Sequence, residues 1–370
     1  MMEIVATMKQ FIIVIVLLLA LVPYTVSAQT VTITDMAGRK VLIPQQVHRI
    51  VALSASLRYI VYLQAFDMVV GIEGVEKQKS MQGINASGKP YWLAIAHTID
   101  TIPDIGEGGP GKLPDFEKLI MVKPDVIFTF EPDNANLIQQ KTKIPCVVCN
   151  YAGTEGFVIE DIKRTFVFLG NILNKKQRAV ELNTYIDKCV ADLSRRVSGV
   201  EKKKVYIGAV SARGAHTITS TESNYPPLEW IGAINVANKT GINGHAFINK
   251  ENIIMWNPDY IFIDTGGLLL VENDYIKNKV FYQNLRAVKH GLVYTVFPYN
   301  FYRTNIEIMI ANAYFMGKVL YPERFKDVII RKKADEIFKR FIGINAYNEL
   351  QKYYKGYGRV EFTEKGITIH

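Results

Sequence analysis

One pattern of apolar and polar positions occurs twice in the chain. Glu117-Lys-Leu-Ile-Met-Val-Lys-Pro-Asp-Val-Ile-Phe128 returns as Glu251-Asn-Ile-Ile-Met-Trp-Asn-Pro-Asp-Tyr-Ile-Phe262, 134 residues later. Each copy predicts a short amphipathic helix, broken at Pro124 or Pro258, and then a buried apolar strand. A unit repeated at that distance points to two similar lobes; a solenoid would have a shorter period. Two lobes imply a cleft, and clefts between domains are where ligands bind.

The surrounding pattern fills in each lobe. Thr30 to Pro44 predicts two strands about an Ala37-Gly38 turn. Arg49–Leu53 is the next strand, followed by a helix through Tyr59 to Ala65, a short strand Val69–Ile72 and a loop from Glu73 to about Pro90. Strands alternating with helical segments indicate parallel βαβ units with both sheet faces covered. The first repeat and the strand at Cys146–Tyr151 complete lobe one, residues 29–154. Residues 155–200 are purely helical: 156–172, then 175–198 with an apolar stripe at Ala179, Leu182, Ile186, Cys189, Val190, Leu193 and Val197. A helix of that length spans roughly 30 Å, enough to brace two lobes side by side. Lobe two, residues 201–322, holds the strand Val205–Val210, the second repeat, the strand Val293–Phe297 and a helix from about Asn305 to Leu320. Residues 323–370 form a C-terminal helical extension with a tyrosine-rich end.

The amino terminus sets the compartment. Lys9, the apolar run Phe11–Val22 and the small residues Val26-Ser27-Ala28 predict a secretory signal peptide over residues 1–28. The alternative is an uncleaved anchor, for which the run is short. The protein is therefore expected outside the cytoplasm, in a periplasm or on the outer face of the membrane. The net charge of +9 outlives the signal, since Lys9 and Glu3 leave together. It fits an anionic ligand or an acidic surface, while export and scattered lysines argue against nucleic acid. Cys146 and Cys149 have CxxC spacing but lie on a strand, where residues three apart face opposite sides. His97, His216, His245 and His290 are far apart in sequence, without the spacing of a preformed metal site, so no metal site is predicted. Gly106–Gly111 lacks the ending of a phosphate loop. No G-x-S-x-G or H-E-x-x-H occurs, and no enzyme activity or cofactor is expected.

Asp35-Met-Ala-Gly-Arg-Lys-Val-Leu-Ile-Pro44, Arg49-Ile-Val-Ala-Leu-Ser54, Val69-Val-Gly-Ile72 and the repeated Glu-x6-Pro-Asp-x-Ile together resemble the solute-binding proteins of ABC importers. The group resembled serves ferric siderophores, haem and cobalamin, and the likeness runs from about Val31 to Tyr321. It implies an α/β fold of two similar lobes, each a mainly parallel sheet covered by helices, joined by a single long bridging helix. It also implies a monomer that delivers an iron chelate, or else a corrinoid or haem, to a permease with its cytoplasmic ATPase. In that family a glutamate on each lobe docks a permease arginine pocket, and the matching positions are Glu117 and Glu251. A carboxylate at a helix start also fits the helix dipole alone. Where the family often has Ser-x-x-x-Thr-Glu, this chain has Ser54-Ala-Ser-Leu-Arg58-Tyr59. Arg58 there places a cation near the cleft or merely on a helix surface.

Ligands of α/β lobes touch the loops at the carboxyl ends of strands. That rule nominates Arg213, His216 and Tyr225 after the strand 205–210, Tyr299, Tyr302 and Arg303 after 293–297, and Trp92 with His97 in lobe one. Arginines fork onto carboxylate, catecholate or phosphate oxygens, and aromatic faces suit a chelate or macrocycle. A third class, a surface receptor or adhesion module, would use Tyr347, Tyr353, Tyr354 and Tyr357 as its interface.

Overall fold

The computed structural model describes residues 29–370 except 78–79, 82–83, 86–87, 110, 150–157, 213 and 301. The signal segment 1–28 and Arg213 therefore lie outside the described residues. Strands β1 (Thr30–Thr34) and β2 (Lys40–Pro44) form an antiparallel hairpin. Asp35 anchors it by accepting from the Arg39 Nε at 2.9 Å and the Val148 amide at 3.1 Å.

Lobe one is built on β3 (Ile50–Ala52), β4 (Val69–Gly71), β7 (Val126–Thr129) and β8 (Cys146–Val148), with a small hairpin of β5 (Ser80–Met81) and β6 (Ile84–Asn85) set apart. The sheet order is β4-β3-β7-β8, all parallel. The inner strands are short apolar runs buried on both faces, which a sheet covered by helices on both sides requires. Cys146 faces the outer apolar cluster and Cys149 the central one, on opposite sides as their spacing predicts. Helix α1 (Leu57–Tyr62) follows β3, and α2 (Phe116–Met121) is the helix of the first repeat.

Two long helices, α3 (Ile159–Ile172) and α4 (Lys176–Arg196), then leave the lobe. The predicted stripe on α4 is real: Ala179, Leu182, Ile186, Cys189 and Leu193 are all buried. At its start the Arg178 Nε donates to the Tyr62 carbonyl of lobe one at 2.9 Å. Near its end Asp192 accepts from the Tyr314 hydroxyl of lobe two at 3.0 Å.

Lobe two repeats the topology. Strands β9 (Lys204–Gly208), β11 (Ile234–Asn235), β13 (Tyr260–Asp264) and β14 (Val293–Val296) form a parallel sheet in the order β11-β9-β13-β14. In both lobes the second strand lies outside the first, followed by the third and fourth. The repeated motif supplies the third strand each time. The added feature is an antiparallel pair, β10 (Ser220–Ser223) with β12 (Gly244–Phe247). Helix α5 (Lys250–Trp256) belongs to the second repeat, and α6 (Ile306–Leu320) is buried along nearly its whole length. Both repeat helices end as their sequences require: Lys123 and Asn257 take left-handed φ values of 46° and 43° immediately before the prolines.

The extension is only partly helical. After α7 (Ile330–Ile342) and α8 (Tyr347–Tyr354), the chain closes in an antiparallel hairpin of β15 (Val360–Thr363) and β16 (Gly366–Ile369). The Thr295 amide on β14 donates to the Gly358 carbonyl at 2.9 Å, so the tail covers that sheet edge. Tyr347, Tyr354 and Tyr357 ring Phe297 at 5.7, 6.3 and 4.6 Å, which assigns these three to the core of lobe two and not to an adhesive surface, while Tyr353 is exposed. Phe341 reaches the other way, packing 5.4 Å from Tyr62 of lobe one and 6.2 Å from Tyr185 of the bridging helix. One apolar cluster runs through both lobes, the bridging helix and the extension. Phe341→Ala should therefore lower unfolding free energy by about 3–5 kcal/mol, the cost of emptying a buried aromatic site. Urea titration followed by circular dichroism measures this; a midpoint unchanged from the native chain would show that the extension does not hold the lobes.

Candidate functional site

In both sheets the strand order reverses beside the first strand, and the loops at that switch point are where α/β lobes hold ligands. The loops after β3 and β4 of lobe one meet the loop after β14 of lobe two. Arg58 makes the join: fully buried, it donates from Nη2 to the Tyr302 carbonyl at 2.6 Å and from Nε to Asn305 Oδ1 at 3.2 Å. The cation is thus inside the junction, resolving the choice its sequence position left open. Beneath it the Tyr62 hydroxyl donates to Glu307, a second bond from lobe to lobe.

The backbone is strained on both sides of this contact. Ser54 and Ala55 take φ values of 53° and 70°, and Tyr302 and Arg303 take 48° and 70°. Left-handed non-glycine residues cost about 1–3 kcal/mol each and persist where packing over-determines them. Here the two strained pairs pack on each other, since Ala55, Tyr302 and Val75 form one buried apolar cluster.

Charge is concentrated behind that cluster. Lys89 and Glu76, 0% and 1% exposed, pair at 2.6 Å. Glu76 also accepts from the Tyr91 hydroxyl at 2.9 Å, and its carbonyl accepts from the Trp92 indole at 2.8 Å. The Lys89 ammonium lies 5.0 Å from the Tyr302 ring centre and 5.3 Å from that of Tyr91. Glu73, one strand-end away, accepts from the Ser54 amide at 2.8 Å and lies 3.4 Å from the Tyr302 hydroxyl. Burial, reinforced by nearby Glu76, pushes the Glu73 carboxyl up to about 8, so it carries a proton at neutral pH. Arg303, half-buried, sits over the Phe130 ring at 5.9 Å. Three cations, Arg58, Arg303 and Lys89, thus lie around Tyr302.

Lobe two adds carboxyls of the same kind. Burial pushes Asp264 and Glu222 up to about 7. Asp264 accepts the Gly266 amide at 2.8 Å, and Glu222 accepts the Tyr299 hydroxyl. Pairing of β10 with β12 also brings together two histidines that their sequence positions kept apart. His216 and His245 have ring centres 5.9 Å apart, both edge-on to Phe247. His216 Nε2 lies 2.7 Å from the Ala212 carbonyl and so donates. His245 Nε2 lies 2.8 Å from Ser220 Oγ, whose own proton goes to the Val210 carbonyl at 2.6 Å, so this Nε2 donates too. Burial, then the neighbouring His216, lowers the pKa of His245 and favours its neutral form.

The sequence-derived site residues divide accordingly. Tyr302 and Arg303 are at the junction. Tyr299 and Tyr225 lie deeper, buried, with rings 5.4 Å apart. Trp92 is a buried prop for Glu76, and His97 is exposed beyond the 90–95 helix. Glu117 and Glu251 are exposed in the first turns of α2 and α5. Sequence reasoning passed over Glu73, Glu76, Lys89 and Asn305. Glu73 follows β4 directly, so the carboxyl-end rule would have nominated it. Glu76 and Lys89 lie 13 residues apart in a loop with no periodic signal. Among the described residues, no three histidine, cysteine, aspartate or glutamate side chains are placed to hold a metal ion.

Comparison with known proteins places this geometry in a family. Residues 50–299 match the periplasmic binding proteins, and the chain belongs to that family of transport receptors, not to an enzyme family. It is 27% identical to the molybdate-binding protein MolA of Haemophilus influenzae, across 84% of this chain and 90% of that one. It is 24% identical to the iron(3+)-hydroxamate-binding protein FhuD of Bacillus subtilis, across 64% of this chain and 76% of that one. The molybdate-bound structure of MolA superposes with a TM-score of 0.65 at 21% identity, covering 85% of this chain and 98% of that chain.

The raised pKa of Glu73 has a definite sign in stability. The folded state keeps a proton that the unfolded chain releases above its ordinary value of 4.5, so this contribution is full below 4.5 and disappears as pH rises through about 8. Glu73→Gln should flatten the fall in urea midpoint between about pH 5 and pH 8, leaving the part due to Glu222, Asp264 and Glu307. An unchanged slope would mean that Glu73 is ionised in the native protein.

Proposed function

We propose that this exported receptor captures a metal-bearing anion between its lobes and hands it to an ABC permease. The carrying observation is the junction itself, where Arg58, Lys89 and Arg303 are brought together by loops of both lobes. An anion there would meet cationic side chains from both lobes, and arginine forks match carboxylate, catecholate or hydroxamate oxygens. A ferric chelate meets those requirements, and the likeness to an iron-hydroxamate-binding protein supports it.

A second reading is a bare metal oxyanion. It is favoured by the burial of Trp92, Tyr225 and Tyr299, which removes flat faces that a macrocycle would need. A relative that aligns over 84% of the chain is a molybdate-binding protein, which supports the same reading. Haem and corrinoid lose ground on the aromatic argument.

Delivery rests on Glu117 and Glu251. Their helices begin beside the cleft loops: the Asp115 amide donates to the Ile105 carbonyl at 2.8 Å, and the Ile248 amide to the Thr219 carbonyl at 3.0 Å.

Calorimetric titration with molybdate, tungstate, ferric siderophores, haemin and cobalamin should give saturable one-to-one binding to one anion class. Arg303→Ala should weaken that binding by roughly ten- to a hundredfold, the loss of one charge-assisted contact. Equal affinity in the variant would remove the junction as the site. Glu117→Lys with Glu251→Lys should abolish uptake by whole cells while leaving that affinity intact. Lost affinity in the double variant would instead make the two glutamates structural.

A further inference from the structure

The repeat carries more than its glutamates. In a helix, residues three and four positions on share a face with the first. Glu117 is therefore flanked on one face by Ile120 and Met121, and Glu251 by Ile254 and Met255. On an ordinary amphipathic helix such apolar pairs would face the core, as Leu119 and Ile253 do at 0% exposure. Here both pairs are turned outward instead. Met121 at 76% and Met255 at 70% are, with Val280 at 71%, the most exposed large apolar side chains among the described residues. The same three residue types are thus exposed at the same offsets on both lobes, with the same residue of each helix buried.

We infer that each lobe presents a carboxylate–isoleucine–methionine face, and that the two faces together contact the importer permease through apolar packing as well as charge. This rests on the delivery role proposed above. Two like faces call for a partner with two like acceptors, each an apolar hollow beside a cation. A second copy of this chain fits poorly, because mating the face with itself sets Glu against Glu. An anionic lipid surface is repelled by the same carboxylates. Methionine suits such a contact, being flexible and polarisable enough to fill an irregular hollow.

The test is photo-cross-linking of the full-length chain in the cells that produce it, with benzoylphenylalanine at position 121, 255, 118, 252 or 280. Products are identified by their tryptic peptides. Cross-links from 121 and 255 to the same ABC permease subunit, and none from 280, are expected. In addition, Met121→Ser with Met255→Ser should lower the yield from position 118 by about fivefold or more, while Val280→Ser leaves it unchanged. Permease cross-links from 118 and 252 without any from 121 and 255 would overturn the apolar contact and leave the docking role standing. Products linking only two copies of this chain would overturn it in favour of self-association. No permease product from any of the four repeat positions would overturn the docking role and this inference together.

Discussion

Everything in this molecule depends on the two lobes sharing one apolar core. In a receptor with a flexible hinge each lobe closes its own core, and the cleft opens widely. Here α4 is anchored to lobe one through Arg178 and to lobe two through Asp192, while Phe341 and Tyr357 carry the extension into opposite lobes. Separating the lobes would expose apolar surface at about 25 cal/mol per Å², which a single small ligand cannot offset repeatedly. The junction loops therefore meet at a nearly fixed spacing.

That constraint explains the electrostatics. A junction that cannot open far keeps its ionisable groups away from water, and burial is the largest cause that moves Glu73, Glu222, Asp264 and Glu307 toward neutrality. Burial also lowers the pKa of Lys89, its pairing with Glu76 opposing that shift, while an arginine such as Arg58 keeps its charge. The result is a junction whose acids are pushed toward neutrality while its arginines stay charged.

Much of the fold was legible in the chain. The duplicated helix–Pro-Asp–strand motif marked the third strand of both sheets, and the stripe on α4 marked the bridging helix. These signals are local and periodic, so one sequence suffices. The extension was misread as helical because β15 and β16 are stabilised by pairing with each other and by contact with β14. Its tyrosines looked like an interface because nothing local shows that Phe297 lies among them. The candidate site was read in part: Tyr302 and Arg303 followed from the carboxyl-end rule. Lys89, Glu76 and the His216–His245 pair are products of long-range contact, and no spacing records them. Trp92, Tyr225 and Tyr299 were nominated for chemistry that their burial assigns to support.

The two lobes are alike in one place and unlike in another, and the boundary is sharp. Correspondence of the repeats ends at Phe128 and Phe262; the next residues are Thr129-Phe-Glu-Pro132 in one lobe and Ile263-Asp-Thr-Gly266 in the other. The exposed helix faces lie within the repeats, whereas the junction residues lie outside them, Arg58, Glu73 and Lys89 before the first copy and Tyr302 and Arg303 after the second. A partner with two equivalent halves reads both helix faces in the same way, so the same residue types serve on each lobe. A single ligand lying between the lobes has no such symmetry. One lobe supplies Arg58, Lys89 and Glu73, the other supplies Tyr302 and Arg303, and neither set could replace the other. Duplication thus accounts for the scaffold and the two like helix faces, whereas the junction, proposed above as the ligand site, exists only in the contact between two loop sets of different sequence.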